Sequence, residues 1–219
     1  MTITTLTRPH VSQGCLAQYE TLAALIEGLT EDEWNAASRC GDWQARDVAG
    51  HVIGLAEDTA AGVPGSRNSA EEAASVRSEP PAGAAARLRA ATATLQSLLD
   101  AIDDDAWSGP SGVPDLTLGE GVLTLWYDTY VHTDDIRAAL GRKSERGDGL
   151  DATIAYLARE LTTRGWGPAT LVLDGAGRQD VGAGGREITG DALQFALVAT
   201  GRAAASTMGL DPEVNIYAE

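Results

Sequence analysis

Leu29-Thr-Glu-Asp-Glu-Trp34 and Ile102-Asp-Asp-Asp-Ala-Trp107 are two versions of one phrase, and their repetition decides the fold. Each follows a stretch whose apolar residues recur at three- and four-residue steps, the mark of an amphipathic helix. Before the first copy these are Val11, Cys15, Leu16, Tyr19, Leu22, Ala23 and Ile26; before the second, Leu88, Leu95, Leu98, Leu99 and Ile102. Each copy then leads through a loop into another helix. Thr117-Leu-Gly-Glu120 opens the later one with a capping box, whose hydroxyl and carboxylate satisfy amides left over at a helix start. Gln44 and Asp47 hold the matching positions in the earlier copy. The pattern predicts helices over Pro9–Gly28, Ala45–Ala61, Ala82–Ile102 and Leu118–Leu140, the last stopped by Gly141. Thr30–Trp34 reads as a turn and Gly62–Asn68 as a breaker cluster. Two αα-hairpins on one plan make a pseudo-symmetric antiparallel four-helix bundle, here over residues 1–145.

After the polar linker Lys143–Gly149 the pattern changes, and residues 146–219 read as a small α+β domain. Asp151–Arg164 is a helix, Thr170–Asp174 a strand, and Gln179–Ile188 a Gly-rich extended stretch. Gly190–Met208 reads as a helix and Val214–Tyr217 as a final strand. The glycines at 175, 177, 182, 184 and 185 form no phosphate-binding pattern before a helix and read as hairpin turns.

A chain of 219 residues with 43% hydrophobic residues can build a real core. Its formal charge of −16 argues against nucleic acid or an anionic membrane as partner, since phosphate binding needs clustered Lys and Arg. Lys143 is the one lysine; with abundant Ala and Gly, this suggests a high-GC bacterial genome. Two cysteines are too few for a disulfide scaffold or a Cys-based zinc site. Neither a signal-like start nor a run of membrane-spanning length is seen, so a cytoplasmic protein is expected. Monomer and homodimer are both left open.

The chemistry sits on three residues. Asp128-x-x-x-His132 places a carboxylate and an imidazole on one helix face. His51 on the second helix can face them across the bundle, giving three N/O donors and one open position, the form of a catalytic zinc-type site. The plainer readings are a core histidine at 51 and an ordinary i,i+4 pair at 128 and 132. Asp47 is one turn from His51, but its match to Glu120 points to capping. Asp135 reads either as the group orienting an imidazole or as a solvated carboxylate. Cys40 has no base nearby in sequence and is expected to be a buried structural thiol. Trp34, Trp43 and Trp107 read as packing anchors, and His10 has no assigned role.

Cys40-Gly-Asp-Trp43, Arg46-Asp-Val-Ala-Gly-His51, Tyr130-Val-His132-Thr-Asp-Asp135-Ile, Ala199-Thr-Gly-Arg202 and Leu210–Tyr217 together resemble the mycothiol-dependent maleylpyruvate isomerase family. That family lies within the DinB-like four-helix metalloproteins. The resemblance implies an α-dominated fold, a DinB-like antiparallel four-helix bundle with a small C-terminal α+β domain. It implies a divalent metal, zinc, on His51, Asp128 and His132, with Asp128 standing where the family carries Glu. It also implies mycothiol or a similar thiol as cofactor, a small electrophilic substrate, and an important Arg202 that reaches toward the metal cleft. Isomerisation and S-transfer both fit this chemistry. A metal-binding regulatory or accessory protein, or an enzyme repurposed for secondary metabolism, would carry the same pattern.

Overall fold

A computed structural model describes residues 6–218. The chain divides between Ser144 and Glu145 into two compact units.

The first unit holds four long helices: α1 (Arg8–Glu27), α3 (Ala45–Ala60), α5 (Pro81–Ala101) and α7 (Leu118–Ala139). Three short ones accompany them: α2 (Glu31–Trp34), α4 (Ser69–Ala74) and α6 (Asp104–Ser108). α1 and α3 each pack against both α5 and α7, so the four long helices close a bundle. Tyr19, Leu22, Ile26, Ile53, Leu88 and Trp126 fill it and are essentially fully buried. Burial of one such side chain contributes about 1.5–3 kcal/mol. Close packing fixes even the bare positions: a Cβ on Gly14 would meet the Trp126 ring at 2.1 Å.

The repeat is physical. Ala45 N–H donates to the Ala36 carbonyl and Leu118 N–H to the Gly109 carbonyl, both at 2.9 Å, so each hairpin enters its second helix through the same bridge. Thr117 and Glu120 cap α7 reciprocally. In the other copy Gln44 N–H donates to Asp47 at 3.1 Å, which makes Asp47 a capping group. Thr30–Trp34 is not a simple turn: Thr30 and Glu33 form a capping box of their own, and α2 results. Trp34 is buried and its indole N–H donates to the Glu79 carbonyl, which makes it a packing anchor.

The second unit contains α8 (Asp148–Thr163), β1 (Ala169–Asp174), β2 (Gly177–Val181), β3 (Arg186–Asp191) and α9 (Ala192–Ala199). Its sheet has the order β2-β1-β3, with β2 antiparallel and β3 parallel to β1. Leu171 pairs with Gln179 on one side and Ile188 on the other. α8 packs on α9 and β2, burying Leu157, Leu161 and Phe195.

Three expectations need correction here. Only the glycines at 175 and 177 form a hairpin turn. Val181 and Arg186 both pair with Ala169, so residues 182–185 cross from one edge of the sheet to the other at the start of β1. The crossing is so close that a Cβ on Gly185 would meet the Pro168 carbonyl at 2.8 Å. The helix from 190 begins only at Ala192 and ends at Ala199; Thr200-Gly201 turns the chain, with Gly201 at φ 70°, and a 3-10 turn follows at Ala205–Met208. Val214–Tyr217 is not a strand: Pro212 starts a 3-10 turn and no ladder forms. Val214 and Ile216 are both buried, and this alternation imitates a strand without a neighbour to pair with. No helix of the described residues is long and apolar enough to cross a membrane.

Candidate metal centre

His51, Asp128 and His132 come together in the bundle, with one donor atom from each lying within 4.8 Å of the others. His51 sits two turns into α3, while Asp128 and His132 stand one turn apart on α7. His51 Nε2 is 3.6 Å from Asp128 Oδ2, and His132 Nε2 is 3.5 Å from Asp128 Oδ1. The imidazoles meet edge to face, their centroids 5.0 Å apart.

The other nitrogen of each ring is held from behind. His51 Nδ1 is 2.7 Å from Glu72 Oε2, and His132 Nδ1 is 2.9 Å from Asp135 Oδ2. Both carboxylates are buried, Asp135 completely. Asp135 is therefore the residue that orients an imidazole, and the solvated alternative is excluded. Its charge is balanced by Arg39, whose Nε donates to Asp135 at 2.6 Å and whose Nη2 donates to the buried Asp134 at 2.5 Å.

Neither Glu72 nor Arg39 was visible as a functional residue in sequence. Glu72 arrives on α4, a short helix directly after the Gly62–Asn68 cluster. Arg39 lies in the loop before Trp43, and that loop roofs the site. The Trp43 ring lies 5.6 Å from that of His51, so this tryptophan touches the centre as well as packing. Cys40 is half-buried rather than buried, and its thiol donates to Asp135 Oδ2 at 3.0 Å. The thiol's acceptor thus comes from α7, far away in sequence.

Charge sets the properties of the centre. Burial works against a charged His51, but Asp128 and then Glu72 outweigh it and raise its pKa from 6.5 to about 9. Burial pushes the Glu72 carboxyl up, and the His51 charge works against this. Glu72, Asp128, Asp134 and Asp135 gather negative charge around the two imidazoles, with Arg39 on Asp134 and Asp135, a setting that suits a cation. The distances suit one as well. Two donors about 2.0–2.1 Å from a zinc ion at a tetrahedral angle lie roughly 3.3–3.4 Å apart, close to the 3.6 and 3.5 Å by which His51 and His132 each approach an oxygen of Asp128. The Nδ1 contacts are those expected of metal-binding histidines, which commonly donate that proton to a carboxylate. The donor set fits a divalent ion.

Arg202 belongs to the second unit. It lies beyond the end of α9 rather than on it, and its Nη1 donates to the Thr200 carbonyl at 3.2 Å. His10 packs its ring against Trp126 at 5.4 Å.

The two thiols differ enough to test. Cys15 is enclosed in the bundle, and burial pushes its pKa up to about 12. At pH 8 roughly one such group in ten thousand is a thiolate, the nucleophilic form. Brief treatment of native protein with maleimide is expected to label Cys40 and leave Cys15, with both labelled after unfolding. Equal labelling of the native pair, read by peptide mass spectrometry, contradicts this placement.

Fold and centre define a DinB-like four-helix-bundle protein with a His-Asp-His cluster between its helices and a C-terminal α+β unit. The chain belongs to the mycothiol-dependent maleylpyruvate isomerase family, an enzyme family: the model of the mycothiol maleylpyruvate isomerase N-terminal domain matches residues 15–137. Two solved structures share the fold. One is a mycothiol-dependent maleylpyruvate isomerase, with 18% identity, a TM-score of 0.65, and coverage of 97% of this chain and 98% of that one. The other is a histidine-to-alanine mutant of a mycothiol-dependent maleylpyruvate isomerase, with 18% identity, a TM-score of 0.63 and the same coverage. No curated protein matches the sequence.

Proposed function

We propose that this protein is a metal-dependent enzyme that uses a low-molecular-weight thiol, mycothiol or a close analogue, to isomerise a small electrophile or to transfer the thiol to it. The observation that carries this reading is the pair of imidazoles whose Nε2 atoms face one carboxylate while both Nδ1 atoms are held by others. His51, Asp128 and His132 would hold a divalent ion, with zinc the best match to two nitrogens and an oxygen. The ion would supply the Lewis acidity that favours a thiolate at neutral pH.

The protein's own groups do the rest. Glu72 and Asp135 keep the proton of each imidazole on Nδ1, leaving Nε2 as the donor. Arg39 balances Asp135 and ties the roof loop to α7, while the Trp43 ring covers His51 and limits water at that side. Arg202 is assigned to the acidic part of the substrate or thiol, which a guanidinium can grip through two hydrogen bonds. Isomerisation returns the thiol, whereas transfer leaves it on the product. A cytoplasmic setting, with a small molecule as partner, accords with such chemistry.

Protein purified without chelator should be assayed with mycothiol and other small thiols against a panel of electrophiles, including cis-unsaturated oxo acids. Turnover is expected only when both metal and thiol are present. Turnover indifferent to thiol contradicts the proposal. Tightly held metal with no turnover on any electrophile points instead to a regulatory or accessory protein.

A further inference from the structure

Glu72 is placed by a series of local devices that have no other evident purpose. Asn68 caps α4, its side chain accepting from the Ala70 and Glu71 amides while its own N–H donates to Glu71. α4 is six residues long, too short to persist without tertiary anchors. Before it, Arg67 clamps the loop to Asp58 and to the Gly54 carbonyl of α3. After it, Arg77 donates to Asp47, and Arg87 joins the Ser75 carbonyl to Glu57.

The floor beneath α4 is glycine. A Cβ on Gly50 would lie 2.6 Å from the Ala73 carbonyl oxygen, and one on Gly54 would lie 2.7 Å from Glu72 Cβ. Both glycines belong to α3, flanking His51 on either side in sequence. Mid-helix glycine costs about 0.5–1 kcal/mol relative to alanine, so a pair of them needs an offsetting gain. Here the gain is close approach. It brings a buried carboxylate to His51 Nδ1 at 2.7 Å, and among the described residues His51 is the only hydrogen-bond partner of that carboxylate.

We propose that Glu72 is a positioning residue for the centre: α4 docks on the Gly50/Gly54 face so that Glu72 holds His51 by Nδ1 and turns Nε2 toward Asp128. This rests on the metal reading given above. Asp135 does the same for His132 from within α7, three residues along the same helix. Glu72 does it from a separate element, so one ligand's orientation depends on whether α4 is docked.

The test is zinc affinity, measured by chelator competition on the full chain for wild type, Glu72→Gln and Glu72→Ala. Glu72→Ala is expected to weaken zinc binding about 10–100-fold, the usual cost of removing such a partner. Glu72→Gln keeps a carbonyl oxygen that accepts from Nδ1–H, so it should fall between wild type and Ala. Hydrogen exchange gives a second reading: zinc should slow the α4 amides in wild type and do so less in Glu72→Ala. A purely packing role would lower the melting temperature of both metal-free variants without this graded loss of affinity. Wild type that binds no zinc overturns the metal reading and the assignment together. Zinc held equally by all three proteins overturns the assignment alone.

Discussion

Alanine at His51 or His132 is expected to leave the protein without its ion. Wild type should carry one divalent ion per chain. Each variant retains one imidazole and one carboxylate, too few to hold zinc through dialysis. The loss should exceed the ~10–100-fold expected for an outer hydrogen-bond partner. Elemental analysis after dialysis decides it, and wild-type metal content in either variant removes that histidine from the site.

The two variants should differ in stability. His51→Ala strands Glu72, whose buried carboxylate has no other hydrogen-bond partner among the described residues; a stranded buried group costs about 1–3 kcal/mol or more. His132→Ala leaves Asp135 bonded to Arg39 and Cys40. The metal-free His51→Ala protein should therefore melt at the lower temperature. pH adds a signature. His51 has its pKa raised from 6.5 to about 9 in the folded metal-free chain. A raised histidine contributes stability fully present below its unfolded value and lost as pH rises through the folded one. That decline should run between about pH 6.5 and 9 in metal-free wild type and be reduced in His51→Ala.

Substitution of Asp128 is expected to separate charge from reach. Asp128→Asn keeps the shape and removes the negative charge that both Nε2 atoms face at 3.5 and 3.6 Å. Zinc affinity should fall steeply, because a neutral amide is a weak ligand for a hard dication. Asp128→Glu restores the charge and adds one methylene, about 1.5 Å of reach. Between imidazoles whose centroids are 5.0 Å apart, the longer side chain must bend to bring its oxygens back. The ion should be retained, with affinity between those of wild type and Asn. Equal zinc titrations for all three proteins mean that Asp128 is not a ligand.

The bundle was legible because a helix that buries one face must repeat at three and four residues, and four stretches did so cleanly. The donors His51, Asp128 and His132 could be read as a candidate set because two lie on one helix face and the third is in the partner hairpin. What surrounds them could not be read. His51 and Glu72 are 21 residues apart, across a Gly62-Val-Pro-Gly65 segment that looks like a simple break. Two local signals were present: Asn68-x-x-Glu71 is a capping pattern, and Gly50-x-x-x-Gly54 marks a helix face stripped for close packing. Arg39 and Cys40 meet Asp135 from 96 and 95 residues away, so neither contact could be read from sequence proximity. Val214–Tyr217 failed for another reason. Alternating burial is necessary for a strand but not sufficient, because pairing depends on an available edge.

The repeated hairpin bears on how the donors of the centre are divided. Counted from the N-caps Gln44 and Thr117, Thr124 stands where His51 does, while Leu55 and Thr59 stand where Asp128 and His132 do. Two hairpins on one plan offer two equivalent places for donors, yet the candidate set is divided between them: the first hairpin brings one imidazole, the second the carboxylate and the other imidazole. Neither hairpin paired with a second copy of itself would bring the three together.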